Sequence, residues 1–314
     1  MIVVVLSVAS GCRQESPTSA SSGSSMKVIA TLFPLYDMAR AIGGSKAEVR
    51  LLLPPGVEPH NFEPRPDDII SIQKAALFIY TNRFMEPWVE KLITGVGSKQ
   101  LTVVDASAGL RLRPAESVAR HDQGHKEEDD HDGHHTGGMD PHLWLDLDNA
   151  AKMVDLILAG FVVRDPANRN YYEANARTYK IRLKDIDRRY FATLARCDSR
   201  ILLQGGHYAF GYLARRYGLE YLAATGVSAD SETTPARMAE LVRQVRTVGI
   251  KTIFTEELVS PRVAETIAEE TGAGIMRLHA GHNISREELA RGVTFPDLME
   301  QNLDALAKGL QCRQ

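Results

Sequence analysis

The sequence predicts an α/β chain made of two parallel-sheet α/β lobes bridged by a long rigid helix. Three observations predict it. Short apolar runs alternate with amphipathic stretches, the alternation occurs in two separate sets, and one uninterrupted helical pattern divides the sets. Short strands alternating with helices are the signature of βαβ units and hence of parallel sheets.

In the first set, strands are expected at residues 28–32, 49–53, 77–80 and 101–104, with helices near 35–42, 66–74 and 87–93. In the second, strands fall at 201–203, 220–222, 252–254 and 275–278, with helices near 209–217, 235–248, 261–271 and 295–310. Between the sets lies the strongest helical pattern. Asp165 can cap it, Pro166 suits its first position, and no further Pro or Gly follows until past Arg196. Tyr172, Ala176, Tyr179, Leu183, Ile186 and Tyr190 recur at a spacing of three to four and form one buried stripe. About 30 residues at ~1.5 Å each give roughly 45 Å, enough to run along a two-lobed body, and a continuous helix of that length resists hinge motion. The expected domains are a leader and tether at 1–25, an N-terminal lobe at 26–164, the linking helix at 165–196 and a C-terminal lobe at 197–314, each lobe with its own core.

Composition narrows the function. The 314 residues are 44% hydrophobic and 25% charged, which excludes disorder and fibrous classes. A net charge of −3 gives no electrostatic footprint for nucleic acid, and 7% aromatics give no base-stacking platform. Three cysteines are too few for a zinc ribbon or a disulfide scaffold.

The chain opens MIVVVLSVASGC. An apolar run at residues 2–8, followed by small residues before Cys12, reads as a lipoprotein signal with Cys12 lipidated. The Ser/Gly/Pro-rich stretch 13–25 then serves as a flexible tether. This implies an extracytoplasmic body, periplasmic or at the cell envelope, where a Cys197–Cys312 bridge is open to the chain. Residues 114–138 hold one large apolar side chain, Val118, and cannot offset the entropy of ordering, so a mobile loop is expected. The loop carries His121, His125, His131, His134 and His135 among seven carboxylates, which suits weak, multi-site collection of divalent metal.

Five histidines lie outside that loop: His60, His142, His207, His279 and His282. None sits mid-strand in an apolar run, where a core histidine would. His60 follows the second strand in PPGVEPHNFEP, His207 the first strand of the second lobe in LLQGGHYAF, and His279 the last strand in MRLHAGHN. His142 lies in MDPHLWLD at the exit of the loop and before a helix. Ligands of open α/β sheets bind beyond the carboxyl ends of strands, so these imidazoles point to one metal in the interlobe cleft.

The segments LLPPGVEPHNFEP, FMEPWVEKL, DPHLWLD, GGHYAFGYLARRYGL and IFTEELVSPR, in this order, resemble the metal-binding substrate-binding lipoproteins of ABC transporters, in particular the zinc-uptake members. The resemblance runs from Met26 to the C-terminus. It implies two lobes bridged by a long helix with one metal between them, an ABC-transporter membrane permease as partner, and His60, His142 and His207 as ligands. The fourth position is open: His279, a water, His282 or Glu63 can fill it, and His279 is the residue chosen here. Glu256 matches a family glutamate expected to orient a ligating imidazole rather than to bind metal. Imidazole ligands favour Zn²⁺ over manganese, which prefers oxygen donors. The expected function is capture of Zn²⁺ and its delivery to the permease, by a monomer with no nucleic-acid partner. A Mn²⁺ or Fe²⁺ carrier of the same group, or an adhesin on the same fold, is the alternative. No HExxH, GxSxG or P-loop string supports an enzyme.

Overall fold

A computed structural model describes residues 25–95, 100–115, 138–227, 233–257 and 260–313. Cys12, the tether up to residue 24 and the five histidines of the acidic loop lie outside the described residues.

The first sheet contains β1 (Met26–Ala30), β2 (Ala47–Leu51), β3 (Leu77–Tyr80) and β4 (Thr102–Asp105), all parallel, in the order β2-β1-β3-β4. Helices α1 (Phe33–Gly43), α2 (Pro66–Gln73) and α3 (Val89–Gly95) connect its strands. A two-residue hairpin of β5 (Arg113–Pro114) and β6 (Met139–Asp140) leads into α4 (Leu147–Arg164) and α5 (Arg169–Leu194). The second sheet has β7 (Ile201–Gln204), β8 (Glu220–Ala223), β9 (Thr252–Thr255) and β10 (Gly274–Arg277), also parallel, in the order β10-β9-β7-β8. Around it run α6 (Gly211–Arg216), α7 (Pro235–Val248), α8 (Arg262–Thr271), α9 (Arg286–Ala290) and α10 (Phe295–Gly309). Two parallel-sheet lobes joined by a long helix are thus the architecture that the alternating pattern predicts.

Three details differ from the sequence reading. The ladders of β1 and β2 end at Ala30 and Leu51, whereas the apolar runs continue. Leu32, Leu52 and Leu53 are apolar because they are buried beyond the strand ends. The linking helix begins with a 3₁₀ turn at Pro166–Asn168, and Asp165 does not cap it. The Asp165 carboxylate instead accepts hydrogen bonds from Tyr172 Oη at 2.7 Å and Asn168 Nδ2 at 2.7 Å. The stripe itself is buried at every position from Tyr172 to Tyr190 and extends to Leu194.

The third difference concerns the core. The largest cluster is continuous through both lobes: it joins Leu35 and Met38 of α1, Val154 and Phe161 of α4, the α5 stripe, Leu213 of α6, and Leu303 and Leu306 of α10. Two smaller cores pack on the sheets separately, one around Ile253 and one around Phe78, and a third joins Ala115, Tyr208 and Ala223. The stripe of α5 is therefore filled from both sides, and burial of shared apolar surface ties the lobes together. Polar contacts add to it. Asp37 of α1, buried and raised in pKa by that burial, accepts from Tyr179 Oη of α5 at 2.7 Å and from Phe295 N of α10 at 3.0 Å. A Cys197–Cys312 disulfide joins the end of α5 to the C-terminal segment.

Candidate metal centre

Each sheet has a switch point, between β1 and β3 in the first and between β7 and β9 in the second, where the connections leave in opposite directions. Crevices open at the carboxyl ends of strands at such points. His207 follows β7 through Gly205 and Gly206, and Glu256 follows β9 directly. A Cβ on Gly206 would stand 2.5 Å from Glu256 Oε1, so glycine there is what allows the carboxylate to close on the turn. Glu256 Oε1 accepts from His207 N at 3.1 Å, and its Oε2 stands 2.7 Å from His207 Nδ1.

His142 is placed by the hairpin. Asp140, the last residue of β6, accepts from His142 N at 3.0 Å and lies 2.8 Å from His142 Nδ1. The chain then turns into α4, whose N-cap Asp146 accepts from Asp148 N and Asn149 N. His60 comes from the proline-rich loop between β2 and α2, and its backbone N donates to Glu58 Oε1 at 3.1 Å.

His60, His142, His207 and His282 come together, each offering one ring nitrogen, with all four atoms within 4.8 Å of one another. The Nε2 atoms of His142 and His207 are 3.3 Å apart. Two ligands of a tetrahedral ion at ~2.0–2.1 Å are separated by about 3.3–3.4 Å, so this pair already has the spacing of a shared ion. His142, His207 and His282 are fully or almost fully buried. The Nε2 atoms of His60 and His282 are buried without a hydrogen-bond partner. Buried polar nitrogens are normally satisfied, and an ion among them would supply the missing partner.

The fourth ring of this group is His282, and His279, the residue chosen from the sequence, lies outside it. The segment from Leu278 to Ile284 is buried throughout. Within it, His279 N donates to Asn302 Oδ1 at 2.7 Å, and Asn302 Nδ2 returns a bond to His279 O at 2.8 Å. His279 Nδ1 lies 3.1 Å from Glu257 Oε1, and that carboxylate also accepts from Ala280 N at 2.8 Å and Gly281 N at 3.2 Å. Gly281, at φ +78°, then turns the chain so that the next ring, His282, enters the cleft. Asp140, Glu257 and Trp144 were not singled out from sequence. Trp144 Nε1 donates to Ala280 O at 2.8 Å, and its ring lies 5.5 Å from that of His142. The visible signal for Asp140 was its place two residues before a histidine in MDPH.

The electrostatics suit a cation. Burial, then the nearby rings of His207 and His282, push His60 down to about 2. Burial and the same crowding hold His142 well below its ordinary value, and burial lowers His282 to about 3. Burial also acts to lower His207, but Glu256 outweighs it and raises the ring. Glu257, although buried, is held down to about 2 by His279 and by the amides it accepts from. Burial raises Asp140 to about 8. Burial thus favours the neutral form of three of the rings, the form that ligates a metal.

The wider comparisons agree with this geometry. The chain is 37% identical over 290 residues to the high-affinity zinc uptake system protein ZnuA of Bacillus subtilis, covering 92% of this chain and 89% of that protein. It is 33% identical over 285 residues to the zinc-binding lipoprotein AdcA of Streptococcus pneumoniae, covering 90% of this chain but only 55% of that relative, so it spans little more than half of AdcA. The crystal structure of the Zn(II)-bound ZnuA-like domain of that AdcA superposes with a TM-score of 0.77 at 30% identity, over 91% of this chain and 99% of the domain. None of the described helices is long and apolar enough to cross a membrane. With residues 28–309 matching the family model for the periplasmic component A of the zinc-uptake complex, the chain belongs to that family of solute-binding transport components.

Proposed function

We propose that this protein captures Zn²⁺ between its lobes through His60, His142, His207 and His282 and delivers it to the permease of an ABC importer. The observation that carries this reading is the convergence of four ring nitrogens within 4.8 Å, three of them on fully or almost fully buried residues. An all-imidazole donor set suits zinc and gives manganese none of the carboxylate oxygens it prefers. A set closed by four protein ligands favours carriage over catalysis, because hydrolytic zinc keeps one position open for water. Asp140 and Glu256 orient His142 and His207 and balance the charge of the bound cation.

The rest of the reading comes from the sequence. Lipid on Cys12 anchors a monomeric body at the outer face of the membrane, and the acidic, histidine-rich loop gathers metal weakly. Removing residues 116–137 tests the loop and spares Pro114 and Met139, which pair in the hairpin that carries Asp140. The decisive experiment is calorimetric titration of zinc into the metal-free protein at pH 7.5, repeated after that deletion. One tight site in both proteins, with weak additional sites only in the intact one, supports a tight centre outside the loop and weak collection by it. Loss of the tight site on deletion would move the primary ligands into the loop.

A further inference from the structure

The segment that carries His282 bridges the lobes. It follows β10 and is bonded to the second lobe through Thr255, Glu257 and Asn302, and it is bonded to the first lobe as well. Phe33 N donates to His282 O at 3.3 Å and Gly56 N to Ile284 O at 3.0 Å. Trp144 Nε1 reaches Ala280 O at 2.8 Å. Between these lies Asn283, fully buried, whose Nδ2 donates to Pro54 O at 3.0 Å and to Val57 O at 2.5 Å. Both carbonyls belong to the loop that ends at His60. His207, in contrast, is held by contacts within the second lobe: Gly205 N donates to Phe254 O at 2.8 Å, Tyr208 N to Gly226 O at 2.8 Å, and His207 N to Glu256.

We propose that Asn283 is a positioning residue for the metal site: its amide locks the His60 loop to the His282 segment, so that the His60 ring is held beside His282 before an ion arrives. The physical reason is the donor count. An asparagine amide has two N–H groups, and here each meets one carbonyl of the same short loop, so the loop is fixed at two points rather than one. Pro54 and Val57 are themselves exposed, and Pro54 O also accepts from Val57 N at 3.1 Å, so the cost of release falls on the fully buried Asn283 amide, which would lose its acceptors. A loop fixed in this way holds the His60 ring in place before any ion arrives, and preorganisation of that kind is what converts a donor set into an affinity.

The inference rests on the proposed zinc reading, and the experiment separates the two. Zinc affinity is measured by competition with a chromophoric chelator for the wild type, Asn283→Ala, His60→Ala and the double variant, together with the d–d absorption of the Co²⁺-loaded proteins. Groups that orient ligands are worth about 10–100-fold in metal affinity. Asn283→Ala is therefore expected to bind zinc at least tenfold more weakly, with a changed Co²⁺ spectrum, and to add little further loss once His60 is gone. A purely structural role would lower the melting temperature and leave affinity and spectrum alone; zinc affinity within twofold of a zinc-binding wild type, with an unchanged spectrum, overturns the inference. Should the variant not fold, amide exchange in the metal-free wild type decides: Gly56 N–H is expected to be as slow as core amides, and exchange at the rate of an open loop overturns the inference. A wild type that binds no zinc would refute the zinc reading, and Gly56 would still report on the pin.

Discussion

Exchanging the two neighbouring histidines of the LHAGHN segment one at a time is the sharpest test of the candidate centre. His282 belongs to the group whose nitrogens lie within 4.8 Å of one another, whereas His279 is engaged by Asn302 and Glu257. Four-ligand structural zinc sites are worth about 10–16 kcal/mol, or about 2.5–4 kcal/mol per ligand if shared evenly. At ~1.4 kcal/mol per decade, His282→Ala should weaken zinc binding by about a hundredfold to a thousandfold. His279→Ala removes a partner of Glu257 and an acceptor of Gly281 N, and Glu257 keeps its bonds from Ala280 N and Gly281 N at 2.8 and 3.2 Å. Its contact with the centre is indirect, through a carboxylate 3.6 Å from His282 Nδ1, so a loss below tenfold is expected. The assay is chelator competition at pH 7.5, with circular dichroism to establish that both variants fold. If His279→Ala loses as much affinity as His282→Ala, or more, the assignment of the fourth ligand is wrong, whatever the other three do.

Further outcomes follow from the same geometry. Asp140→Asn and Glu256→Gln should each weaken zinc binding about 10–100-fold in the same competition assay, because each removes a carboxylate from a ligating ring. His60 contributes a separable part of the pH dependence of folding, alongside His142 and His282, which burial also lowers. Its folded pKa, about 2, lies below its unfolded value of 6.5, so the unfolded chain alone takes up the proton and stability falls as the pH drops below 6.5. Between pH 7.5 and 5.5 this ring costs the metal-free protein about 1.4 kcal/mol. Urea unfolding of wild type and His60→Asn at both pH values should show the difference between them shift by that amount; a constant difference would contradict a neutral, buried ring. Reducing the Cys197–Cys312 bridge, which spans 115 residues, should cost about 4–5 kcal/mol in the chain-entropy account. For a body of this size that lowers the melting temperature by about 8 °C, checked by calorimetry with and without reductant.

The periodic parts of the molecule were legible because a period reports a face. The alternation of apolar runs predicted both sheets, and Pro235–Val248 and Leu77–Tyr80 have the bounds expected of them. Every stripe position from Tyr172 to Tyr190 is buried. Helix α4 was expected only as a helix of unspecified extent after His142, since apolar side chains such as Leu156, Leu158 and the exposed Val163 lie off its buried stripe and blur the amphipathic contrast. The continuity of the core was not legible either, because an apolar stripe says that it is covered and not by how many bodies.

At the site, chain position brought out His60, His142, His207 and His279, and the family resemblance carried over the first three as ligands, each within a distinctive string. The choice between His279 and His282 had no such string. The two rings stand three residues apart in an irregular turn, where no period dictates direction. What separated them were contacts made by distant residues: Asn302 of α10 and Glu257 beyond β9 hold the first ring aside, while Phe33, Gly56 and Asn283 dock the second against the opposite lobe. Local spacing thus determined the lobes, the bridging helix and the kind of donor, since these depend on near neighbours. Only the packing of segments far apart in the chain decided which nitrogens meet, because a shared coordination point exists only after both lobes are in place.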